Sequence, residues 1–514
     1  MSKRASGVFI QRSPPPDAHK VARRVWVYRA VLESIMRGSL PPGARLPAAR
    51  QLASDWSVAR GAVDDAFEQL QIEGYLQRRV GDGTYVASPL PHLPVGAPAA
   101  PGMKRPLSQT AQHVLDRFAP YLGKPRQLEQ AITVLTPMPL FARAPLTEGF
   151  ALDVWRRLMV RALGDAHRDM LDYGPAAGLD TLRESIARHV SLTRGTACAA
   201  EQVLVVNSPM QGIELIARVL LEPGDTVWVE EPGHGSLPTL FEVLHARVCP
   251  VPLDLRGFNT ALGRSLAPHA AAVYLHPQTQ FPLGTVTDSE RRAELLQWAD
   301  EQAAWVIEGN FNDELSLGTS QPLSLQRLDR SDRVLLMGTF EGLMFPSLRV
   351  AYLVLPTHLV PVFAAMRGLL GDHTSMPTQL ALSWFIDDGH LSSRIRDLRR
   401  KLQRRTQALC AAVRRHVPDW ASLGSLDGGT HACLHLPTDV SDMDAASAVR
   451  KLGVLVIALS SVSLRPQGRN ALVLGHGPFD EDTIERAVAV IGRALRSLRV
   501  GRAMPAYQPT GDNR

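Results

Sequence analysis

A stretch rich in proline divides this chain. Six prolines fall between Ala87 and Pro106, where neither helical nor strand periodicity is present. Because proline fixes the backbone torsion φ and lacks an amide donor, the stretch predicts an extended spacer rather than part of a core. A chain of 514 residues is also too long for one ordinary hydrophobic core. We therefore predict a first domain over residues 20–88, a proline-rich linker over 89–128, a large domain over 129–500 and a disordered tail over 501–514.

The first domain has the pattern of three helices followed by a hairpin. Apolar residues recur at helical spacing over residues 28–35 and again over 63–70, and a Pro-Pro-Gly cluster between them ends the first helix. Ser57 is placed to cap the third helix. A Gly-Asp-Gly sequence at 81–83 lies between two short strand patterns, which indicates a hairpin. This order of elements predicts a winged helix-turn-helix.

Positive charge is concentrated in the same part of the chain. Residues 1–88 hold 13 Lys and Arg against 8 Asp and Glu, a net charge of +5, whereas the whole chain carries +6. A basic first sixth on a nearly neutral remainder indicates a polyanionic partner, and a winged helix favours double-stranded DNA. A solvated basic surface without a partner is the alternative that charge alone leaves open.

The third helix would enter the major groove with its N-terminal turn first. A long cation there can reach a base edge or a phosphate, and a glycine leaves room for the DNA to approach. The predicted DNA-binding residues are Arg45, Arg50, Ser57, Arg60, Gly61, Gly83 and Thr84. Asp64 and Asp65 place two carboxylates on the same helix, where they either restrict the DNA sequences that the helix accepts or weaken its binding to DNA.

Two segments of the first domain resemble the GntR-type winged helix over its full length. They are GSLPPGARLPAARQLA and SVARGAVDDAFEQLQIEGYLQRRVGDGTYVA. In that family the arginine after the Leu-Pro pair and the arginine at the start of the recognition helix contact DNA, which implies these roles for Arg50 and Arg60. A winged helix used for contacts with protein is the alternative.

Short apolar runs alternate with longer amphipathic stretches in the large domain, which predicts an α/β domain around a mostly parallel sheet. The runs are QVLVVN, DTVWVE, AAVYLH, AAWVIE, RVLLMG and VAYLVL. The segments YGPAAGLDTLRESIARHV, HPQTQFPLGTVTDSERRAELLQWA and MGTFEGLMFPSLRVAYLVLP resemble fold-type I aminotransferases, in the same order. A GntR-type domain joined to such a domain is similar to the MocR-like regulators. The predicted fold class is α/β, with an N-terminal winged helix-turn-helix and a large fold-type I aminotransferase-like domain.

The residues that hold pyridoxal phosphate in the aminotransferase family are replaced in this chain. Gly342 stands where the resemblance places the lysine that binds the cofactor covalently. The family's Asp-Asp-Tyr is Gly-Asn-Phe at 309–311, and His234 replaces the aromatic ring that stacks on the cofactor. No lysine lies between residues 124 and 401. We therefore predict no covalently bound pyridoxal phosphate, no catalytic residues and no transaminase activity.

Part of the anion-binding pocket is retained. Thr339 and Arg349 match the family positions that hold the cofactor phosphate. Ser208 and Met210 lie where a strand enters a helix N-terminus, which favours anions. These four residues are the candidates for binding a small anionic effector, with noncovalent pyridoxal phosphate as a weaker alternative. A purely structural dimerisation scaffold, in which Arg349 forms a fold-stabilising ion pair, is the other interpretation.

These features predict a sequence-specific transcriptional regulator that binds paired half-sites on DNA as a homodimer. The main alternative is a pyridoxal phosphate-dependent aminotransferase with an accessory DNA-binding domain, and Gly342 argues against it. A partner-recruiting protein that reads DNA poorly is a third interpretation.

Other classes of protein are disfavoured. No apolar run approaches the roughly 20 residues that a membrane helix needs, and the N-terminus lacks a signal-peptide pattern. The four cysteines are far apart and show no metal-ligand spacing. We therefore expect a cytoplasmic protein without a metal site or a membrane partner.

Overall fold

The computed structural model describes residues 23–91, 106–118, 138–164, 172–196, 198–311, 313–318, 323–465 and 468–500. The predicted tail over 501–514 lies outside these ranges, as do residues 92–105 and 119–128 of the predicted linker. The chain divides into two compact units after Pro106.

The first unit contains three helices and a hairpin, in the predicted order. The elements are α1 (Arg23–Met36), α2 (Ala49–Trp56), α3 (Arg60–Ile72), β1 (Leu76–Arg79) and β2 (Gly83–Val86). They share one core in which Val27, Val63 and Leu70 are fully buried, and the ring centroids of Trp26 and Trp56 lie 5.1 Å apart. This core holds one face of α3 and leaves its other face exposed to solvent.

Ser57 does not cap the third helix, so that part of the prediction is wrong. It ends α2 in the left-handed backbone region, with a φ of 54°, and its amide donates to the carbonyls of Ala53 and Ser54. Helix α3 begins later, at Arg60, after Ala59, which makes no side-chain cap. Because the turn after α2 needs a residue with positive φ, Ser57 serves as the end of one helix and not as the start of the next.

The predicted linker over 89–128 contains a helix, so the prediction extended the linker too far towards the C-terminus. Helix α4 (Gln109–Phe118) belongs to the second unit and contacts the helix Leu237–Val243 of that unit. Its sequence, QTAQHVLDRF, has apolar residues at i, i+3, i+4 and i+7, which is the spacing of an amphipathic helix. All six prolines of the spacer precede it.

The second unit is built around a mixed eight-stranded sheet. Its strands are β3 (Val203–Val206), β4 (Thr226–Glu231), β5 (Arg247–Asp254), β6 (Gly257–Phe258), β7 (Ala272–Leu275), β8 (Trp305–Asn310), β9 (Val334–Thr339) and β10 (Ala351–Val354), in the order β3-β10-β9-β8-β7-β4-β5-β6. The pairs from β9 to β5 are parallel, whereas β10 is antiparallel to both of its neighbours. All six predicted strands are confirmed, and so is the mostly parallel sheet.

The sequence did not indicate β5, because its residues RVCPVPLD include two prolines. Pro250 and Pro252 lack amide donors and therefore cannot complete a ladder on both sides of a central strand. They are accommodated because β5 has only the two-residue β6 on its outer side.

Helices cover both faces of the large sheet. Alternate residues of β3 enter two separate core clusters, Val203 and Val205 in one and Leu204 and Val206 in the other. The helices are α5 (Leu152–Ala162), α6 (Asp180–Arg194), α7 (Pro209–Leu220), α8 (Leu237–Val243), α9 (Thr260–Leu266), α10 (Ser289–Glu301), α11 (Leu325–Leu328), α12 (Val360–Leu369), α13 (Met376–Asp387) and α14 (His390–His416).

The C-terminal part of the second unit adds a smaller antiparallel sheet. Its elements are β11 (Ser422–Leu423), β12 (His431–Leu436), α15 (Asp442–Lys451), β13 (Ile457–Ala458), β14 (Asn470–Gly475) and α16 (Glu481–Val500). The strand order is β11-β12-β14-β13. Helices α15 and α16 pack on this sheet through a separate core that includes Leu434, Leu472 and Ile491.

Buried histidines of the second unit, among them His431 and His476, make its stability depend on pH. Burial lowers the pKa of His431 to about 4 and that of His476 to about 3. An unfolded histidine titrates near 6.5, so unfolding takes up protons below that pH. The free energy of unfolding should therefore fall as the pH falls from about 6.5 towards the folded pKa, by up to ~1.4 kcal/mol per pH unit for each histidine.

Urea unfolding between pH 7 and pH 5 measures this slope. His431→Gln should lower the slope by up to ~1.4 kcal/mol per pH unit, because one titrating group is lost. His358→Gln, at an exposed position, should leave the slope unchanged. Equal slopes in the wild type and in both variants would show that the buried histidines do not control the pH dependence.

Candidate DNA interface and candidate ligand site

Arg60 is the first residue of the recognition helix α3. Its side chain is 68% exposed, and its Nε lies 3.2 Å from Oδ2 of Asp64, one turn later. Gly61 and Asp65 are also exposed, whereas Val63 is buried in the core. The first turn of α3 therefore presents to solvent one cation that is already paired with a carboxylate.

The wing brings three of the predicted DNA-binding residues together. The amide of Leu46 donates to the carbonyl of Thr84 at 2.9 Å, so the segment before α2 lies along β2. A Cβ added at Gly83 would lie 3.2 Å from Nε of Arg45. Gly83 also has a φ of 120°, which side chains rarely adopt. Glycine at this position therefore lets Arg45 pass beside the wing.

Sequence reasoning missed Arg79 as a wing cation. Its guanidinium lies 4.5 Å from the centroid of the Tyr85 ring, and the Tyr85 hydroxyl donates to Asp82 at 2.8 Å. Its place at the end of a strand, just before the hairpin turn, was the signal that could have identified it. The predicted residues Arg50 and Ser57 lie at opposite ends of α2, and both are exposed.

In the second unit, Gly309 on β8 faces a row of polar side chains from the neighbouring strands. A Cβ added at Gly309 would lie 2.5 Å from Nε2 of His276 and 3.0 Å from the hydroxyl of Tyr274. Nε2 of His276 lies 3.0 Å from that hydroxyl, and its Nδ1 lies 3.4 Å from Oε2 of Glu230. The space that an aspartate would need at position 309 is therefore filled.

Burial sets the protonation of these groups. It raises the pKa of Glu230, and the hydrogen bond with His276 opposes that rise. It also raises the pKa of Tyr274 well above its usual range. Burial lowers the pKa of His234, in the loop after β4, to about 3. The His234 ring is therefore a neutral imidazole near pH 7.

The four predicted anion-binding residues lie at the same end of three neighbouring strands, β3, β10 and β9. Thr339 at the end of β9 and Val206 at the end of β3 both pair with Ala351 of β10. The ends of β3 and β9 are therefore about 10 Å apart, which is two strand spacings. Ser208 and Met210 follow β3, at the start of α7.

Ser208 and Met210 make local contacts at that helix start. Oγ of Ser208 accepts from the amide of Gln211 at 3.2 Å, and Oε1 of Gln211 accepts from the amide of Asn207 at 2.6 Å. Met210 is partly buried against the core. The side chains of Ser208 and Gln211 therefore already accept hydrogen bonds from two backbone amides near the start of this helix.

Arg349 is paired with a carboxylate of its own loop. Its Nη1 lies 3.1 Å from Oε1 of Glu341, and its side chain is 58% exposed. Oγ1 of Thr339 accepts from the amide of Glu341 at 3.1 Å. Burial raises the pKa of Glu341, and Arg349 opposes the rise. Gly342, the residue at the expected lysine position, follows Glu341 in the turn after β9.

Two family models match the chain. The model described as "Bacterial regulatory proteins, gntR family" matches residues 24–86, and the model described as "Aminotransferase class I and II" matches residues 146–491. The matched ranges correspond to the two compact units. Within the part of the chain that the structure describes, no helix is both long and apolar enough to cross a membrane.

Several solved structures that resemble this chain are aminotransferases. The multiple substrate aminotransferase of Thermococcus profundus aligns with a TM-score of 0.68 at 21% identity, covering 77% of this chain and 98% of that chain. The alpha-aminoadipate aminotransferase LysN of Thermus thermophilus aligns with a TM-score of 0.67 at 24% identity, with the same coverage. At these identities the likeness establishes the fold alone.

Curated relatives match nearly the full length of the chain. The HTH-type pyridoxine biosynthesis transcriptional regulator PdxR of Corynebacterium glutamicum is 31% identical over 467 residues, covering 90% of this chain and 93% of that protein. The probable rhizopine catabolism regulatory protein MocR of Rhizobium meliloti is 29% identical over 494 residues, covering 94% and 96%. The chain therefore belongs to the MocR-type transcriptional regulators, DNA-binding proteins in which a GntR-type winged helix is joined to a fold-type I aminotransferase domain.

Proposed function

We propose that this regulator binds its operators in the cytoplasm as a homodimer and reads their sequence through Arg60 at the start of α3. The exposure of Arg60 on the first helical turn is the observation that carries this proposal. That turn is the part of a recognition helix that reaches base edges in the major groove. Gly83 and Thr84 of the wing, and Arg45 beside it, would then contact the sugar-phosphate backbone.

Arg50, Ser57 and Gly61 complete the proposed interface. Arg50 is exposed on the first turn of α2, where its guanidinium would bind a phosphate of the DNA backbone. Ser57 is exposed in the turn between α2 and α3, where a hydroxyl can bond a phosphate oxygen. Gly61 leaves room for close approach of the DNA beside Arg60.

Selection of bound duplexes from a random pool by the full-length protein tests this proposal. The expected result is enrichment of one sequence repeated in two half-sites, because a homodimer carries two readers. Binding should weaken steeply as salt rises, since phosphate contacts release counterions. Recovery of no common sequence would contradict sequence-specific reading.

We also propose that the aminotransferase-like domain has no transaminase activity. Gly342 has no side chain with which to bind pyridoxal phosphate covalently. The residues present do not fit the cofactor in other respects either, since His276 fills the space beside Gly309 and Arg349 is paired with Glu341. The domain would then serve in dimerisation and effector binding.

A small anionic effector bound by Ser208, Met210, Thr339 and Arg349 is part of the same proposal. Such a ligand would have to displace the carboxylate of Glu341, which forms an ion pair with Arg349. An anion at this place would then compete with a partly exposed ion pair, a kind of interaction worth about 0–1 kcal/mol.

Glu341→Gln is therefore expected to strengthen phosphate binding, by at most about fivefold, because it removes the competing charge. Isothermal titration of the full-length protein with inorganic phosphate measures the change. Glu290→Gln, at an exposed carboxylate away from the loop, is the matched control and should have no effect. If Glu341→Gln binds phosphate no better than the control, the anion site is elsewhere or absent.

A further inference from the structure

Positive charge in the second unit is concentrated on helix α14. Its 27 residues hold nine Lys and Arg against one Asp, a formal charge of +8. The chain beyond residue 88 carries only +1 in all, so its residues outside α14 carry a net charge of −7. A helix this basic in an otherwise acidic part of the chain indicates a polyanionic partner.

One side of α14 belongs to the core of the second unit. Leu398, Leu402 and Leu409 are buried there. Arg394 and Arg405 are buried on the same side, and both donate to backbone carbonyls. The other arginines of the helix are exposed on the opposite side, and we call them the α14 basic face: Arg396, Arg399, Arg400, Arg404, Arg414 and Arg415.

The exposed arginines form a row along the helix. Arg396 and Arg414 are 18 residues apart, which is five turns, so they lie on the same side of the helix, about 27 Å apart. Arg400 and Arg404 follow Arg396 at steps of four residues, or about 6 Å along the axis. A small ligand cannot span this row, whereas duplex DNA presents one phosphate per ~1.7 Å of its axis. The α14 basic face therefore fits an extended polyanion.

Two cations of this face have no protein partner. Arg396 and Arg414 make neither an ion pair nor a hydrogen bond with any residue that the structure describes. Exposed ion pairs contribute little to stability, so phosphates can displace the carboxylates that pair with the rest at little cost. Three such pairs join the face to α14 itself or to α16: Arg400 with Asp397, Arg404 with Glu481 and Arg415 with Glu485.

We propose that the α14 basic face is a second DNA-binding surface, which contacts the phosphates of duplex DNA without reading its sequence. Arginine binds phosphate oxygens through charge-assisted hydrogen bonds. Because the winged helix of the same chain also binds a duplex, α14 meets that DNA at a high effective concentration and needs only weak contacts of its own. The proposal rests on DNA binding by the first unit, and it does not require that Arg60 reads a base.

Binding of the full-length protein to an unrelated duplex tests the proposal. Fluorescence anisotropy with a duplex of about 40 base pairs is measured at several salt concentrations. When Arg396→Gln and Arg414→Gln are combined, the slope of log affinity against log salt concentration should decrease by about 1.8, because each phosphate contact contributes about 0.9. The affinity at the lowest salt concentration should fall at least about tenfold. Both arginines are exposed, so the variant should fold as the wild type does.

Two further changes provide the control and the converse. Combining Arg157→Gln with Arg330→Gln removes the same charge at exposed arginines outside α14, so it should leave the slope and the affinity nearly unchanged. Asp397→Asn releases Arg400 from its ion pair, so it should strengthen binding about twofold to fivefold.

A slope and an affinity in the α14 variant equal to those of the control variant would overturn the proposal. An Asp397→Asn variant that binds the duplex no more tightly than the wild type would overturn it as well. Arg60→Ala should bind this unrelated duplex nearly as the wild type does, so failure of base reading is detected separately, with the selected operator. A wild-type protein that binds no duplex would contradict both the proposed function and this inference.

Discussion

Replacing Arg60 with alanine is expected to lower the affinity for the selected operator by about tenfold to a hundredfold, which corresponds to the ~1–3 kcal/mol of one good base contact. Affinity for unrelated duplexes should change much less, because they offer no matching base. Fluorescence anisotropy at a fixed salt concentration measures both. Thermal stability should be nearly unchanged, since the exposed pair between Arg60 and Asp64 contributes only about 0.3–0.5 kcal/mol.

Two further variants separate base reading from charge. Arg50→Ala should weaken binding to every duplex by a similar factor and reduce the salt dependence, because a phosphate contact carries no sequence information. Asp64→Asn releases Arg60 from its ion pair, so it should strengthen binding to unrelated duplexes and reduce selectivity. Equal losses on selected and unrelated duplexes in Arg60→Ala would show that Arg60 binds phosphate and reads no base.

Replacing Arg194 with methionine is expected to destabilise the second unit by about 3–5 kcal/mol, the cost of leaving buried charges without their partner. Arg194 ends α6 and is 7% exposed, and its guanidinium lies 2.6 Å from carboxylate oxygens of both Asp313 and Glu314. Burial alone would raise the pKa of Glu314, but Arg194 and His189 hold it well below its usual range. Without Arg194, two buried carboxylates would be left close together.

Urea unfolding of the full-length protein measures this loss. Arg188→Met is the matched control, because the side chain of Arg188 is 57% exposed and its pair with Asp387 should be worth less than about 1 kcal/mol. Adding Asp313→Asn and Glu314→Gln to Arg194→Met should recover at least half of the lost stability, since no buried charge then lacks a partner. A loss in Arg194→Met as small as that in Arg188→Met would contradict the account.

Local sequence patterns predicted much of the fold. Six apolar runs became six strands of the large sheet, because buried parallel strands need continuous β-branched and aliphatic residues. The strand β5 was missed because its prolines match no local strand pattern, and only its place near the sheet edge permits them. Ser57 was misassigned because a serine between two helices can end one or begin the other, and backbone geometry decides which.

The candidate sites were predicted less completely, because side-chain pairing over long sequence separations leaves no local pattern. The pair between Arg349 and Glu341 lies within one loop, yet nothing in the sequence shows which ligand or side chain Arg349 prefers. Next to Gly309, the His276 side chain occupies the space that the glycine leaves open. The resemblance predicted a glycine at a position where the family has aspartate, but it did not predict which side chain lies beside that glycine.

The central claim is that the aminotransferase domain of this regulator has lost the covalent chemistry of its fold. Incubation of the full-length protein with pyridoxal phosphate, reduction with borohydride and dialysis, followed by peptide mapping, tests it directly. The account predicts no retained cofactor and no stoichiometric adduct on any of the six lysines. One adduct per chain on a single lysine of the large domain, formed at low cofactor concentration, would contradict it.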